Sequence, residues 1–266
     1  AAVDAQLDAF DAGADVLRQP LFEWNSILWR AMRALLAGAL GRADRLASEA
    51  LAAGAPAEAV TASQYYAIQV LGIRRDQGRM GELERPARQL VEDNPGRPAW
   101  RAALATLLCE EGRLDEAREE FERLASADFE DIPKDLDWMA AIVLLSDVCA
   151  ELGDGERAAL LYPKLEPYAD VNVVIGLAAV CLGSAASFLG KLAATMGRSD
   201  LAAEHFERAL LANAALGAPG CLARTQVDYA RALGRDPRAA ELLAAAAATA
   251  DELGLGAVAR KVAELS

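Results

Sequence analysis

The sequence predicts an all-α superhelix: a solenoid of about six helical hairpins with one further helix at each end, spanning residues 1–266 as a single domain. Composition is the first reason. Hydrophobic residues make up 54% of the chain and aromatics only 6%, with Ala and Leu prominent, and these two lose little side-chain freedom in a helix. The second is a recurring turn, glycine followed by a polar residue. It occurs at Gly41-Arg42, Gly78-Arg79, Gly112-Arg113, Gly153-Asp154, Gly197-Arg198 and Gly234-Arg235, at spacings of 37, 34, 41, 44 and 37 residues. The third is a residue pattern shared by the segments after four of those turns. At +5, +9 and +12 stand Ala117, Phe121 and Leu124; Ala158, Tyr162 and Leu165; Ala202, Phe206 and Ala209; and Ala239, Leu243 and Ala246. Each set lies on one face of a helix of 3.6 residues per turn.

Taken in chain order, residues 1–18 read as an N-terminal helix. Val3, Leu7, Phe10, Ala14 and Leu17 form its apolar stripe, and it ends before Pro20. Asp4, Asp8, Asp11 and Asp15 run beside the stripe. Carboxylates spaced along a helix diverge rather than converge on one ion, so they read as a solvated face and not a metal site. The repeats occupy residues 21–254. In each, the small residue at +5 lets the two helices approach, and the large one at +9 fills the gap to the next hairpin. Leu104-Ala105 and Leu189-Gly190 supply the facing positions ahead of Gly112 and Gly197. The first two hairpins are looser: Leu46 with Ala50, and Leu83 with Ala87, reverse the expected sizes, although Leu90 keeps the face and Pro95 lies beyond the helix end.

Asp236-Pro237 places a capping carboxylate before a first-turn proline, and Ser199 precedes the helix carrying Phe206 in the same way. Pro86 and Pro163 fall inside second helices and predict a kink or a shortened helix there. Extra length between Gly112 and Gly153 falls in Ala125–Asp137, which holds five acids and one Lys. It reads either as a functional loop or as a spacer that lets Trp138 begin the next helix. Residues 171–190 carry no charge over 20 positions. Gly176, Gly183, Ser184, Ser187 and Gly190 dilute that run, which reads as a buried solenoid helix rather than a membrane span. Residues 256–266, with Val258, Lys261, Val262 and Leu265, form a closing helix that covers the last apolar surface.

The formal net charge of −13 and a pI near 4.6 oppose any approach to nucleic-acid phosphates. The chain opens Ala-Ala-Val-Asp with no basic or apolar leader and reads as an excised piece of a longer, cytoplasmic protein. Cys109, Cys149, Cys181 and Cys221 form no close pair, so they read as free, buried thiols. The single histidine, His205, has no nucleophile suggested nearby and reads as a partly exposed helix residue. The segment LGLGA at 253–257 lacks the strand and the Lys of a phosphate loop. No catalytic, metal or cofactor site is expected, and the chain reads as a non-enzyme.

A solenoid offers a concave face instead. The helical register turns Tyr65, Arg75, Asp76, Glu110, Asp147, Ser187, Lys191, Arg224, Asp228 and Arg231 toward it, with acids near the middle and bases toward the C-terminal end. Arg224 and Arg231 stand two helical turns apart on one face. They either fork onto a carboxylate of a bound peptide or ligand, or belong to an internal ion-pair network with Asp228.

The large-then-small and small-aromatic-small pattern resembles the tetratricopeptide repeat, whose period is 34 residues. Further stretches resemble the C-terminal tail of large bacterial signal-transduction ATPases, including LuxR-family regulators and nucleotide-cyclase proteins with tetratricopeptide tails. They are Arg18-Gln19-Pro20 leading to Trp24, Pro98-Ala99-Trp100-Arg101, Asp137-Trp138, Asn172-Val173-Val174, Cys181-Leu182-Gly183, Leu222-Ala223-Arg224-Thr225-Gln226 and Asp228-Tyr229-Ala230-Arg231. That resemblance implies a regulatory module without an ATPase motif of its own. Its partner would be a protein or its own ATPase or output domain, and the alternative is a small-molecule effector held inside the superhelix.

Overall fold

The computed structural model describes residues 2–17 and 19–266, with only the backbone of Ala2, Asp15 and Leu17. The expectations placed on the Asp15 and Leu17 side chains and on Arg18 lie outside the described residues. The fold is an all-α helical-repeat superhelix. Its helices are α1 (Ala2–Leu17), α2 (Pro20–Leu36), α3 (Leu40–Gln77), α4 (Glu84–Asp93), α5 (Pro98–Glu110), α6 (Leu114–Ala125) and α7 (Trp138–Leu152). Then come α8 (Gly155–Leu165), α9 (Ala185–Thr195), α10 (Ser199–Leu216), α11 (Pro219–Leu233), α12 (Pro237–Leu253) and α13 (Gly256–Leu265). Five of the six predicted turn glycines stand at helix ends.

The exception corrects the register of the first hairpin. Its turn glycine is Gly38, at φ +78°; Gly41 already lies inside α3. Counted from Gly38, Ala43, Ala47 and Ala50 take the +5, +9 and +12 places, and all three are buried. The first hairpin therefore follows the pattern with alanine throughout. Its second helix bends near Pro56, where Glu58 leaves helical geometry, and then continues as the first helix of hairpin two.

Prolines shorten helices as expected. Pro86 sits in the first turn of α4, after a 3-10 turn at Met80–Leu83, where a missing N–H has no intrahelical partner to lose. Two residues after Pro163, α8 stops and gives way to a 3-10 turn at Glu166–Tyr168. Asp236 caps α12 by accepting the Arg238 backbone N–H at 2.9 Å. Ser199 is not a cap: it is the first residue of α10, after Arg198. Packing follows the repeat. Of the twelve +5, +9 and +12 positions in the last four hairpins, ten are buried and Leu124 and Leu243 are half-buried. At Gly190 a Cβ would come within 2.8 Å of the Phe206 ring, so the large +9 residue requires a glycine opposite.

Residues 171–190 are not one helix. They form a β-hairpin, β1 (Asn172–Ile175) antiparallel to β2 (Val180–Ser184), followed by α9. The β-branched run Val171, Val173, Val174 and Ile175 favours extended backbone, and Val173 and Ile175 turn into the core while Asn172 and Val174 face out. Among the described residues no helix is long and apolar enough to cross a membrane.

On the N-terminal helix, Asp4 pairs with Arg33 at 3.0 Å, and Asp11 accepts hydrogen bonds from Arg30 and Ser26. Asp4 and Asp11 are thus tied to α2 rather than simply solvated, while Asp8 is largely exposed and Phe10 packs edge-on against Trp29 at 4.7 Å. In the Ala125–Asp137 loop, Phe129 and Ile132 are buried and the Phe129 ring lies 5.7 Å from that of Phe121.

Candidate functional site

The superhelix turns back on itself, so its concave face becomes an interior with two ends. The hairpin fills one. Trp29 Nε1 donates to the Leu177 carbonyl at 2.7 Å, and Gln69 Nε2 donates to the Ala179 carbonyl at 3.1 Å and to Leu28 at 2.8 Å. Val173, Ile175 and Val180 join the main core, and Asn213 Oδ1 accepts the Ser184 backbone N–H at 2.9 Å. This end is largely apolar, and backbone polar groups there are met by side-chain donors and, at Ser184, by a side-chain acceptor.

The other end is ionic. The first helix of each hairpin from the second to the sixth contributes charge near its C-terminal half: Arg75 and Asp76 from α3, Glu110 from α5, Asp147 and Glu151 from α7, Lys191 from α9, and Asp228 and Arg231 from α11. Along the chain of ion pairs Glu110, Arg75, Asp147, Lys191 and Asp228 the signs alternate. Arg75 stands 3.7 Å from Glu110 and 2.6 Å from Asp147, and Lys191 stands 2.8 Å from Asp147 and 2.7 Å from Asp228. Arg224 pairs with Asp76, and its Nη2 lies 3.2 Å from the Cys221 sulfur.

Burial pushes the Asp147 carboxyl up, but Lys191 and Arg75 together hold it below the usual carboxylate range. Burial opposes charge on Lys191 too, and Asp147 and Asp228 overcome it, raising its pKa. Burial likewise works against Glu110 and Glu151; Lys261 with Arg75, and Lys261 with Arg231, bring both below the ordinary value. A buried charge is tolerated when paired in this way and is costly when stranded.

The terminal helix closes this end. At Gly78 a Cβ would meet the Ala257 backbone nitrogen at 2.9 Å, and at Gly256 it would run into the Gln77 carbonyl. Two glycines therefore let α13 cross the end of α3 with backbones nearly touching. From α13, Lys261 reaches Glu110 at 3.3 Å and Glu151 at 3.1 Å, and Arg260 reaches Glu110 at 3.2 Å. Arg231 adds a bridge to Glu151 at 2.9 Å. Beside these bridges remains a cavity of about 470 Å³.

Of the ten residues predicted on the concave face, six are joined in this network, and Asp76 and Arg224 form a pair beside it. Tyr65 does not: it packs 5.9 Å from the Trp24 ring and against Gly176 in the hairpin loop. Ser187 lies apart as well, 3.2 Å from the Thr225 hydroxyl in a buried polar cluster with Asn213. Arg224 and Arg231 do not form a free fork, because Asp76 and Glu151 hold them, and Asp228 is held by Lys191. Sequence reasoning missed Glu151, Arg260 and the part Lys261 plays in the site. Glu151 was signalled by its place four residues after Asp147, hence on the same helix face.

His205 is buried, not partly exposed; its Nε2 lies 2.8 Å from the Tyr162 hydroxyl. Burial, then Arg208, lowers its pKa. The four cysteines are free. Cys109 borders the ionic cavity, but burial, with Glu151 and Glu110 nearby, pushes its thiol up to about 12, so it stays protonated and weakly nucleophilic at neutral pH. Among the described residues no cluster of His, Cys, Asp and Glu is arranged to hold a metal ion.

No curated protein and no solved structure matches the chain. Residues 87–134, from within α4 through α5 and α6 to the following loop, match the family model of the tetratricopeptide repeat, so this chain contains a tetratricopeptide-repeat region, a type of module that generally mediates protein–protein interaction.

Proposed function

We propose that the chain is a non-catalytic interaction and regulatory module of a larger bacterial signalling or transcription-regulatory protein, working in the cytoplasm. Its partner is another protein or the ATPase or output domain of the same protein. The observation that carries this reading is the convergence of one charged side chain after another, from successive repeats, on the ionic end of the interior. Repetition of the hairpin has aligned them, and the tetratricopeptide-type region supplies the precedent for using such an aligned face to hold a protein.

The rim is where a partner engages. Arg260 and Arg231 are 40% and 37% exposed there, while Glu110 beneath them is only 6% exposed. Exposed cations over buried carboxylates favour an acidic segment of the partner. Affinity capture from cell extract with the wild-type chain and with Arg231→Glu/Arg260→Glu tests this. Loss of a wild-type partner from the doubly substituted chain is the expected result, and undiminished capture would count against this rim.

A second reading has its own observation. The cavity of about 470 Å³ falls in the size range of small-molecule sites, which favours an effector held inside the superhelix. A ligand-dependent rise in melting temperature tests it, since a ligand that binds only the folded chain stabilises it by mass action.

A further inference from the structure

The charges around the 470 Å³ cavity are sorted by wall. On one side α5 and α7 present carboxylates only: Glu110, Glu111, Asp147 and Glu151. On the other, α9, α11 and α13 present Lys191, Arg231, Arg260 and Lys261, with Glu264 as the one acid. Arg75, from α3, pairs with Glu110 and Asp147. Five cations and five carboxylates therefore line the cavity, in a chain whose overall charge is −13. The cavity is locally neutral, with an acidic wall and a basic wall bridged by the pairs of Lys261, Arg260 and Arg231 with Glu110 and Glu151.

A net anion entering it meets the carboxylates of the first wall, and a net cation meets the bases of the second. A molecule carrying both charges meets complementary groups on each side. The rim bridges leave capacity for it: among the described residues Arg231 donates from Nη1 and Arg260 from Nη2, one nitrogen of three in each guanidinium. A separate observation points to a missing acceptor. Arg75 is buried, its Nε has no hydrogen-bond partner, and Glu110 at 3.7 Å is too far to be one. That N–H belongs to a residue lining the cavity.

We infer that this cavity binds a small zwitterion, its cationic end against Glu110 and Glu151 and its carboxylate against Arg231, Arg260 and Lys261. The inference rests on the effector reading above and names its ligand class. One Glu111 oxygen is already engaged, accepting the Gly81 backbone N–H at 2.9 Å. The inner bridges from Asp147 to Arg75 and Lys191 stay intact and act as the floor.

Three molecules with the same five-carbon chain separate the charge classes: 5-aminopentanoate, pentanedioate and 1,5-diaminopentane, titrated into the whole chain by calorimetry and followed by thermal melting. The zwitterion should bind saturably and, at about a hundredfold excess over its Kd, raise Tm by about 5 °C or more, with the other two at least about tenfold weaker. Two rim variants, each checked for native circular dichroism, should move the preference in opposite directions. Glu151→Gln makes the site more basic and should shift it toward pentanedioate; Arg231→Gln should shift it toward 1,5-diaminopentane. Preferential binding of either homo-charged ligand by the wild-type chain would overturn the zwitterion assignment and leave the effector reading standing. Binding of none of the three would also overturn it. The effector reading itself falls if a broad panel of neutral, anionic and cationic metabolites also leaves Tm unmoved.

Discussion

The two ends of the superhelix interior are closed by opposite chemistry. At the hairpin end, Val173, Ile175 and Val180 bury apolar surface, and Trp29 and Gln69 bind the turn through its carbonyls. At the α13 end, closure depends on Lys261, Arg260 and Arg231 reaching Glu110 and Glu151. Apolar burial carries no titratable group and responds little to moderate NaCl. Ion pairs at a solvated rim are weakened by salt and titrated by acid. The hairpin end is therefore a permanent part of the core, and the α13 end is the one that salt and acid loosen.

The comparison is broken most severely at the floor of the ionic end. Asp147→Asn leaves Arg75 and Lys191 short of a counter-charge while buried, and should cost about 3–5 kcal/mol of unfolding free energy in urea titration. Acid titrates the same network in the wild-type chain. Glu110, Glu151 and Asp147 all have folded pKa values below their ordinary ones. Their stabilisation is fully present above the ordinary values of 4.5 and 3.8 and is lost as pH falls through the lower folded values. Melting temperature should thus drop as pH is lowered from about 5 toward 3.

At the apolar end, Ile175→Ala should cost about 2–4 kcal/mol. The loss should be the same at low and high NaCl, and a salt-dependent loss would erase the contrast between the ends. Gly256→Ala forces the crossing of α13 over α3 apart and should cost about 1–3 kcal/mol, with faster amide exchange concentrated in α13. The smallest effect belongs to Arg260→Ala. At 40% exposure its bridge is largely solvent-screened, so a change of at most about 0.5 kcal/mol is expected.

Much of the repeat was legible because it is written in residue size. Phe121, Tyr162 and Phe206 at the large position, with Ala117, Ala158 and Ala202 four residues earlier, needed no tertiary information to be placed on buried faces. The first hairpin was misregistered at Gly41 because Ala43, Ala47 and Ala50 carry no size contrast to align on. The hairpin at 172–184 was hidden by hydrophobicity averaged over 171–190, although the β-branched cluster at its start contained the signal. At the ionic end, register placed Arg75, Asp147, Lys191 and Asp228 on the inner face, but their pairing was not readable, since each partner comes from a different repeat.

Local periodicity by itself determined the helical hairpins after Gly112 and most of the side chains they bury, because those depend on contacts between neighbours in the chain. What the tertiary structure decided is that the superhelix closes. Gly78 meets Gly256, Arg224 meets Asp76 and Lys261 meets Glu110 across long separations in sequence. The sum of many small rotations between hairpins brings these groups together, and no local pattern encodes that sum. Closure is also the reason that an expected open groove became a capped, charge-sorted interior.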